Sequence, residues 1–545
     1  MLLLHRPLLA SPSHHVRAAV GGTFTLHPCG HFKQVRRVTT KELDEAKRGR
    51  ERVVVLGSGW GGFPLASRLD PRKYQALVIS PRSYFVFTPL LASCSVGTLE
   101  FRTALEPVRR RAKEIEFFEG WADDIDFHRK VVTVEDAVLD SHSHTALTDE
   151  DQHGEGGMRQ GRLDQKAKQG ELFNVSYDKL VISVGCYSQT FGTKGVKENA
   201  FFLKDVGDAR NIRKRILQCF ELASLPRTSE AVKKQLLNFA VVGGGPTGIE
   251  FSAELHDLTR DDLPRLYPSL AQYVRITVYD VAPKVLSMFD SKLSEYAMSN
   301  FRREGIQIKT EHHVEELRKG LPKSSSDTSR TRDLDSGFTL KTKEEGEVGV
   351  GMCVWSTGLM MNPFVEKTLA RSWSPPVNTV STTDPNVLAS DNVAWTVKKD
   401  QKSGAIITND RLQVKIVSAN KPDGEPDEAV MKDVFAIGDV ATTENTSLPA
   451  TAQVANQKGI WLAKTLNKGR IDTATFNFKN MGVMAYIGNW NAIMQGGNNT
   501  DIKGRAAWIL WRGAYMTKAV SWRNKLLIPT YWFINWLFGR DISRF

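Results

Sequence analysis

The 545-residue chain is poor in cysteine: Cys29, Cys94, Cys186, Cys219 and Cys353, with no C-x-x-C pair and no cluster of metal-ligand spacing. That pattern excludes a disulfide scaffold and predicts no metal site. Long apolar runs are also absent. The run 526–538 is 13 residues and contains Pro529, against the roughly 20 residues that cross a bilayer. Acid is missing from both ends. Residues 1–41 hold six Lys/Arg and no Asp or Glu; residues 505–545 hold seven against Asp541 alone. Removing both ends from the totals of 73 basic and 61 acidic residues leaves 60 of each sign. The middle of the chain is therefore neutral, which argues against nucleic acid as a partner, since that needs a basic groove on the folded body.

The acid-free, Arg-bearing, hydroxyl-containing stretch 1–41 has the composition of a mitochondrial transit peptide. At the other end, five of the twelve tryptophans fall in 505–545. Trp508, Trp511, Tyr515 and Trp522 recur at helical spacing, and Arg512, Lys518, Arg523 and Lys525 lie among them. Aromatic and basic residues on short helices, with Pro529 interrupting the apolar run, predict a segment lying in a membrane interface. The alternative is a helix docked on the protein's own core. With no spanning stretch, no proton path through a membrane is expected.

Between the ends lie two glycine-rich turns. Gly57-x-Gly59-x-x-Gly62 follows the apolar run 53–56, and Gly243-x-Gly245-x-x-Gly248 follows 239–242; each opens a helical pattern. The first glycine permits the turn, the second lets backbone approach a pyrophosphate, and the third lets helix pack on strand. The next strand of the second unit ends in Asp280, a carboxylate suited to both ribose hydroxyls of NADH and repulsive to a 2′-phosphate. The next strand of the first unit ends in Ser80, then Pro81 and Arg82. A third signal, "DVFAIGDVA", ends an apolar strand in Gly438-Asp439. The pattern predicts an α/β protein with two Rossmann-like dinucleotide-binding domains, the NADH domain (206–358) inserted in a split FAD domain (52–205 and 359–475), and a C-terminal region over 476–545.

These residues resemble the type II, or alternative, NADH:quinone oxidoreductases of mitochondria, of the fungal and plant kind. The resemblance runs over about 52–545 and is carried by "GSGWGG", "SPRSYFVFTPLL", "YDKLVISVG", "VVGGGPTGIEFSAEL", "VFAIGDVA", "LPATAQVANQKG" and "WLFGRDISRF". It implies non-covalent FAD held by the first turn, by Ser80, Pro81, Arg82 and Thr88, by Gly185, and by Gly438 and Asp439. It implies NADH as co-substrate, with Glu250 near the nicotinamide and Gly358 in the strand and turn beside it. Gln453 and Gln457, four apart on one helix face, would hydrogen-bond ubiquinone. It further implies a homodimer on the mitochondrial inner membrane, on a face these motifs do not distinguish, oxidising NADH without proton pumping. Read alone, Glu250 is equally an ordinary first-turn helix acid, and the glutamines a polar helix face.

Two other functions share the layout. A sulfide:quinone oxidoreductase would use cysteines distant in sequence, for which Cys186 and Cys353 are the candidates. A flavoprotein of the apoptosis-inducing kind would act through partners. Three polar stretches, 139–171, 322–337 and 417–433, read as insertions. The first is expected to be disordered, and its Asp149-x-Asp151-x-His153 run lacks the closing acid of a calcium loop, with Gln160 in its place.

Overall fold

The computed structural model describes residues 41–111, 115–138, 144–148, 170–322, 337–374, 380–381, 394–418, 427–497 and 500–543. The transit-peptide stretch up to residue 40 and the run from Asp149 to Gln160 lie outside these residues.

Apolar, β-branched runs bounded by turns form strands, and here they are covered on both faces, as parallel strands require. Glu51–Leu56 lies between Tyr74–Ser80 and Lys179–Ile182, parallel to both, with Val54 opposite Leu77 on one side and Leu180 on the other. Glu428–Ala436 extends the same sheet beside Lys179–Ile182. The sheet thus takes strands from the first 182 residues and from beyond residue 380. A second sheet of five parallel strands is drawn wholly from between them, in the order Phe201–Phe202, Met352–Trp355, Asn238–Val242, Arg275–Tyr279, Gln307–Lys309.

The two sheets repeat one piece of geometry. Gly57 and Gly243 both turn the chain through positive φ, +106° and +112°. Behind them, Ser183 and Ser356 each return a hydroxyl to the carbonyl that ends the preceding strand, Leu56 and Val242, at 2.8 and 3.0 Å. A Cβ on Gly62 or Gly248 would come within 2.0 Å of the Gly57 or Gly243 carbonyl, so helix and strand can close only on glycine. The helices that follow differ. Pro246–Asp261 runs 16 residues, whereas Gly62–Ala66 runs only five. The first turn therefore offers a ligand its backbone N–H groups and little helix dipole.

The C-terminal region is a three-stranded meander (Val483–Tyr486, Ala492–Gln495, Asp501–Gly504) followed by the helices Arg505–Lys518 and Trp522–Phe538. Pro529, which interrupts the apolar run, lies inside the second helix, and that helix is continuous over 17 residues. Proline removes one bond to the carbonyl four residues back, a loss that a surface helix tolerates because water can take the carbonyl. This helix is tied to the body by its polar residues: Asn524 donates to Leu105 O at 3.0 Å and Asn535 to Thr98 O at 2.8 Å. Beyond it, Arg540 pairs with Asp262 at 2.5 Å and donates to Thr98 Oγ1 at 3.0 Å. Among the described residues no helix is long and apolar enough to cross a membrane.

The first polar insertion also differs from expectation, in part. Residues 144–148 pack onto the body: Ala146 N donates to Asp208, Gly207 N to His144 O, Ser188 N to Leu147 O, and Tyr84 stacks on His144. For 322–337, the flanking strands Val314–Lys319 and Phe338–Thr342 pair antiparallel, so the stretch joins two arms of a hairpin.

Candidate active site

A single cavity of about 690 Å³ runs from the first glycine turn to the start of the Pro246–Asp261 helix. Its wall includes Gly57, Gly59, Ser80, Pro81, Arg82, Thr88, Gly185, Gly358, Gly438, Asp439 and Glu250. These come from seven separated stretches of the chain. The cavity wall also takes in Thr451, Ala452 and Ala455 from the Thr451-capped helix Ala452–Asn467, and Tyr515 from the C-terminal region.

At one end, Gly59 faces open space: nothing lies within 4 Å of where its Cβ would be, and the same holds for Gly245 in the second turn. A ligand backbone can therefore approach both turns. Ser80 is buried, and its hydroxyl sits 3.0 Å from Ser58 Oγ and accepts from Arg82 N at 3.2 Å. The hydroxyl thus builds the turn as well as lining it. Arg82 Nε lies 2.6 Å from Asp205, so the acid absent from the strand end is supplied from another loop and neutralised there. Trp60 Nε1 donates to Thr88 Oγ1 at 3.0 Å, fixing that edge. In the second unit, Asp280 accepts from Gly244 N and, at 2.7 Å, from Ala282 N. The carboxylate is held against its own glycine turn, at the end of Arg275–Tyr279.

At the other end sits Glu250. It is 7% exposed and accepts from Tyr486 N and from Trp511 Nε1, both at 3.1 Å onto Oε1. Burial, opposed by these bonds and reinforced by the nearby Glu254, pushes its carboxyl up to about 8. At neutral pH it therefore carries a proton beside the cavity. Tyr515, half-buried, adds its hydroxyl to the same carboxyl. One turn further along, Glu254 accepts from Ser93 and Thr98 at 2.7 Å and faces Arg540 at 3.8 Å, and Asp257 accepts from Tyr486 Oη at 2.5 Å. Three buried acids on one helix face are thus what the C-terminal region docks against.

That docking corrects the reading of the aromatic stripe. Trp511 is 4% exposed and stacks on Tyr486, Trp508 packs on Trp490, and Tyr515 reaches the cavity; only Trp522, at 79%, faces out. The spacing marked the buried face of the helix, and the docked alternative holds for it. The exposed apolar surface lies instead on Ile509, Leu510, Leu526, Phe533, Trp536 and Phe538.

Gln453 and Gln457 do share a helix face, but their amides are engaged. Gln453 bonds Gly482 O and Met481 N at 3.1 and 3.0 Å; Gln457 bonds Lys479 O and Lys479 N at 2.8 and 3.0 Å. Each side chain pairs with main chain as a strand would, pinning 479–482 over the helix. Each amide nitrogen spends one of its two N–H donors on this main chain. Neither glutamine borders the cavity, whereas Thr451, Ala452 and Ala455 do. Burial pushes the Cys186 and Cys353 thiols both up to about 12, and of the two only Cys186 reaches the cavity. Among the described residues no group of His, Cys, Asp and Glu could hold a metal ion.

Residues that sequence reasoning missed are Lys204, Tyr486 and the inward roles of Trp511 and Tyr515. The helical stripe was visible for the last two, but periodicity does not say what a stripe faces. Lys204 carries no local signature beyond preceding the Asp205–Asp208 capping box.

Fold and cavity together define a two-dinucleotide-binding oxidoreductase, and residues 51–394 match the family model for pyridine nucleotide-disulphide oxidoreductases. Residues 480–541 match the model for the NDH2 C-terminal domain. Similar proteins include a probable NADH dehydrogenase of Dictyostelium discoideum, 36% identical over 93% of this chain and 96% of that one. An external alternative NAD(P)H-ubiquinone oxidoreductase B1 of Solanum tuberosum is 32% identical over 92% of each chain. An NDH2 structure from Plasmodium falciparum in complex with NADH shares the fold, with a TM-score of 0.69 at 22% identity over 91% of this chain and 100% of that one. The chain belongs to the type II NADH dehydrogenase family, whose pyridine nucleotide-disulphide oxidoreductase fold binds FAD. The open glycine cradle at Gly59 and the polar wall beside it fit that cofactor.

Proposed function

We propose that this protein is an FAD-dependent NADH:ubiquinone oxidoreductase, passing two electrons from NADH to ubiquinone without proton pumping, at the surface of the mitochondrial inner membrane. The observation that carries the reading is the shared cavity, in which the first glycine turn and Glu250 behind the second turn border one space. Bound FAD supplies hydride acceptance on one side and electron donation on the other.

The chain's own residues bind, orient and shield. Gly57, Gly59 and Gly62, with Arg82, Thr88, Gly185, Gly438 and Asp439, would hold FAD. Gly243, Gly245 and Gly248, with Asp280, would hold the NADH adenosine and pyrophosphate, with Gly358 at the nicotinamide end. Glu250, pushed up to about 8 by burial, would keep a proton at its carboxyl next to Tyr515. Quinol formation consumes two protons, and a neutral carboxylic acid on the cavity wall is a suitable local source. The quinone is expected to enter between the Ala452–Asn467 helix and the C-terminal helices, where Tyr515 meets the cavity. The exposed apolar residues of the C-terminal helices, flanked by Lys518, Arg523 and Lys525, would rest in the lipid interface. A homodimer through the same region is part of the proposal. The sulfide-oxidising alternative has no support in the thiols, which are protonated and of which only one borders the cavity.

The test is turnover of purified FAD-loaded protein. NADH with a ubiquinone analogue should be oxidised rapidly; reduction of the quinone by sulfide but not by NADH would reject the assignment.

A further inference from the structure

The ionisable acids and cations bordering the cavity are Arg82, Lys204, Asp205, Glu250 and Asp439. Arg82 is paired with Asp205 at 2.6 Å. Glu250 accepts from Tyr486 N and Trp511 Nε1, and burial pushes its carboxyl up to about 8. That leaves Lys204 and Asp439. Among the described residues Lys204 has no carboxylate within ion-pair distance; its ammonium donates one hydrogen bond, to the carbonyl of Cys186. An ammonium has three donors, so two remain on a side chain that borders the cavity.

The position is built. Lys204 N donates to Asp208 Oδ2 at 3.0 Å and Asp205 N to the same oxygen at 2.8 Å, in the capping box that opens Val206–Ser224. Cys186 follows the turn at Gly185, and its thiol donates to Asp439 O at 3.1 Å. Three loops, at 185–186, 204–205 and 438–439, are thereby locked together around one amine. Burial drives the Lys204 ammonium down from its ordinary value, and the nearby charges of Asp439 and Asp208, neither in ion-pair contact, oppose that; the FAD assigned to this cavity would add an anion rich in acceptors: phosphates, ribityl hydroxyls and flavin carbonyls.

We propose that Lys204 donates to the bound FAD and that its charge sets the redox potential of the flavin. Reduction brings negative charge into a low-dielectric site. A fixed cation there favours the reduced form over the oxidised one. Lys204 is in this account a positioning and tuning residue, and the account rests on the cavity holding FAD.

The test uses purified holoprotein with Lys204→Met, Lys204→Gln and Lys204→Arg. Two quantities are read: the midpoint potential of the bound flavin by dye-coupled titration, and the rate of FAD release by fluorescence. Lys204→Met should shift the potential in the negative direction and release FAD several-fold faster, and Lys204→Arg should stay near wild type in both. Lys204→Gln can still donate to Cys186 O without the charge, so a correctly folded Gln variant should shift the potential as Met does. An unshifted potential in the Met and Gln variants overturns the proposal, whether or not FAD release is faster. Wild-type protein that binds no FAD would instead refute the cofactor reading itself.

Discussion

The indole Nε1 of Trp511 donates to Oε1 of Glu250 at 3.1 Å, joining the helix Arg505–Lys518 to the second turn of the helix Pro246–Asp261 behind the second glycine motif. One hydrogen bond thus links the region read as a membrane anchor to the acid on the cavity wall. Trp511, Tyr515 and Tyr486 all converge on that carboxyl. The C-terminal region is consequently part of the site, and removing it would open the cavity.

Glu250→Gln tests the proton at this position. The wild-type carboxyl protonates near 8 in the folded protein and near 4.5 in the unfolded chain. Between those values the folded state binds more protons, so stability should fall as pH rises from about 5 toward 8 and level off above. Gln can still accept from Trp511 and Tyr486, so the variant should lose this decline and exceed wild type in thermal stability at pH 9. Its quinone turnover should lose the alkaline limb centred near 8 and be slower below it.

Trp511→Phe removes a donor that favours the ionised carboxylate. Such a bond to a charged group contributes roughly 1.5–3 kcal/mol, so the alkaline limb of quinone turnover should move up by about one pH unit. A limb that stays in place would separate Trp511 from Glu250 function.

Asp280→Asn should relax the choice of nucleotide. Removing a carboxylate that would face a 2′-phosphate should raise NADPH use relative to NADH by roughly tenfold, about 1.4 kcal/mol. Asn can accept from Gly244 N or Ala282 N but not serve both as well, so a modest loss of NADH affinity should accompany it. The ratio of kcat/KM values checks it.

The exposed apolar side chains of the Trp522–Phe538 helix test membrane seating. Replacing Trp522, Phe533 and Trp536 together by Ser should abolish sedimentation with vesicles of mitochondrial composition. NADH oxidation with a water-soluble quinone should persist, because these side chains are 79%, 60% and 65% exposed and contribute little to the core.

Much of this molecule was legible in its sequence because it is set locally. A G-x-G-x-x-G turn announces itself through backbone requirements, and Gly57, Gly62, Gly243 and Gly248 have the φ angles or close contacts that only glycine permits. The strand ends at Ser80 and Asp439 follow from the apolar runs before them, Gly185 and Gly358 came from the family resemblance, and all four border the cavity. What was not legible is partner choice at long range. Helical spacing marked Trp508, Trp511 and Tyr515 as one face, but not that the face meets buried Glu250. Spacing likewise put Gln453 and Gln457 together, but not that their amides would bind the backbone of 479–482. Lys204 gains its place only when three loops close on it. The short Gly62–Ala66 helix and the packed residues 144–148 likewise depend on tertiary context.

The central claim is that one cavity brings NADH oxidation and quinone reduction to the same flavin. Stopped-flow absorbance of the anaerobic holoprotein tests it most directly. NADH should bleach the flavin in a single phase, and subsequent mixing with a ubiquinone analogue should restore the oxidised spectrum, both at rates no slower than steady-state turnover. A flavin that NADH reduces but quinone fails to reoxidise at a competent rate would contradict the account.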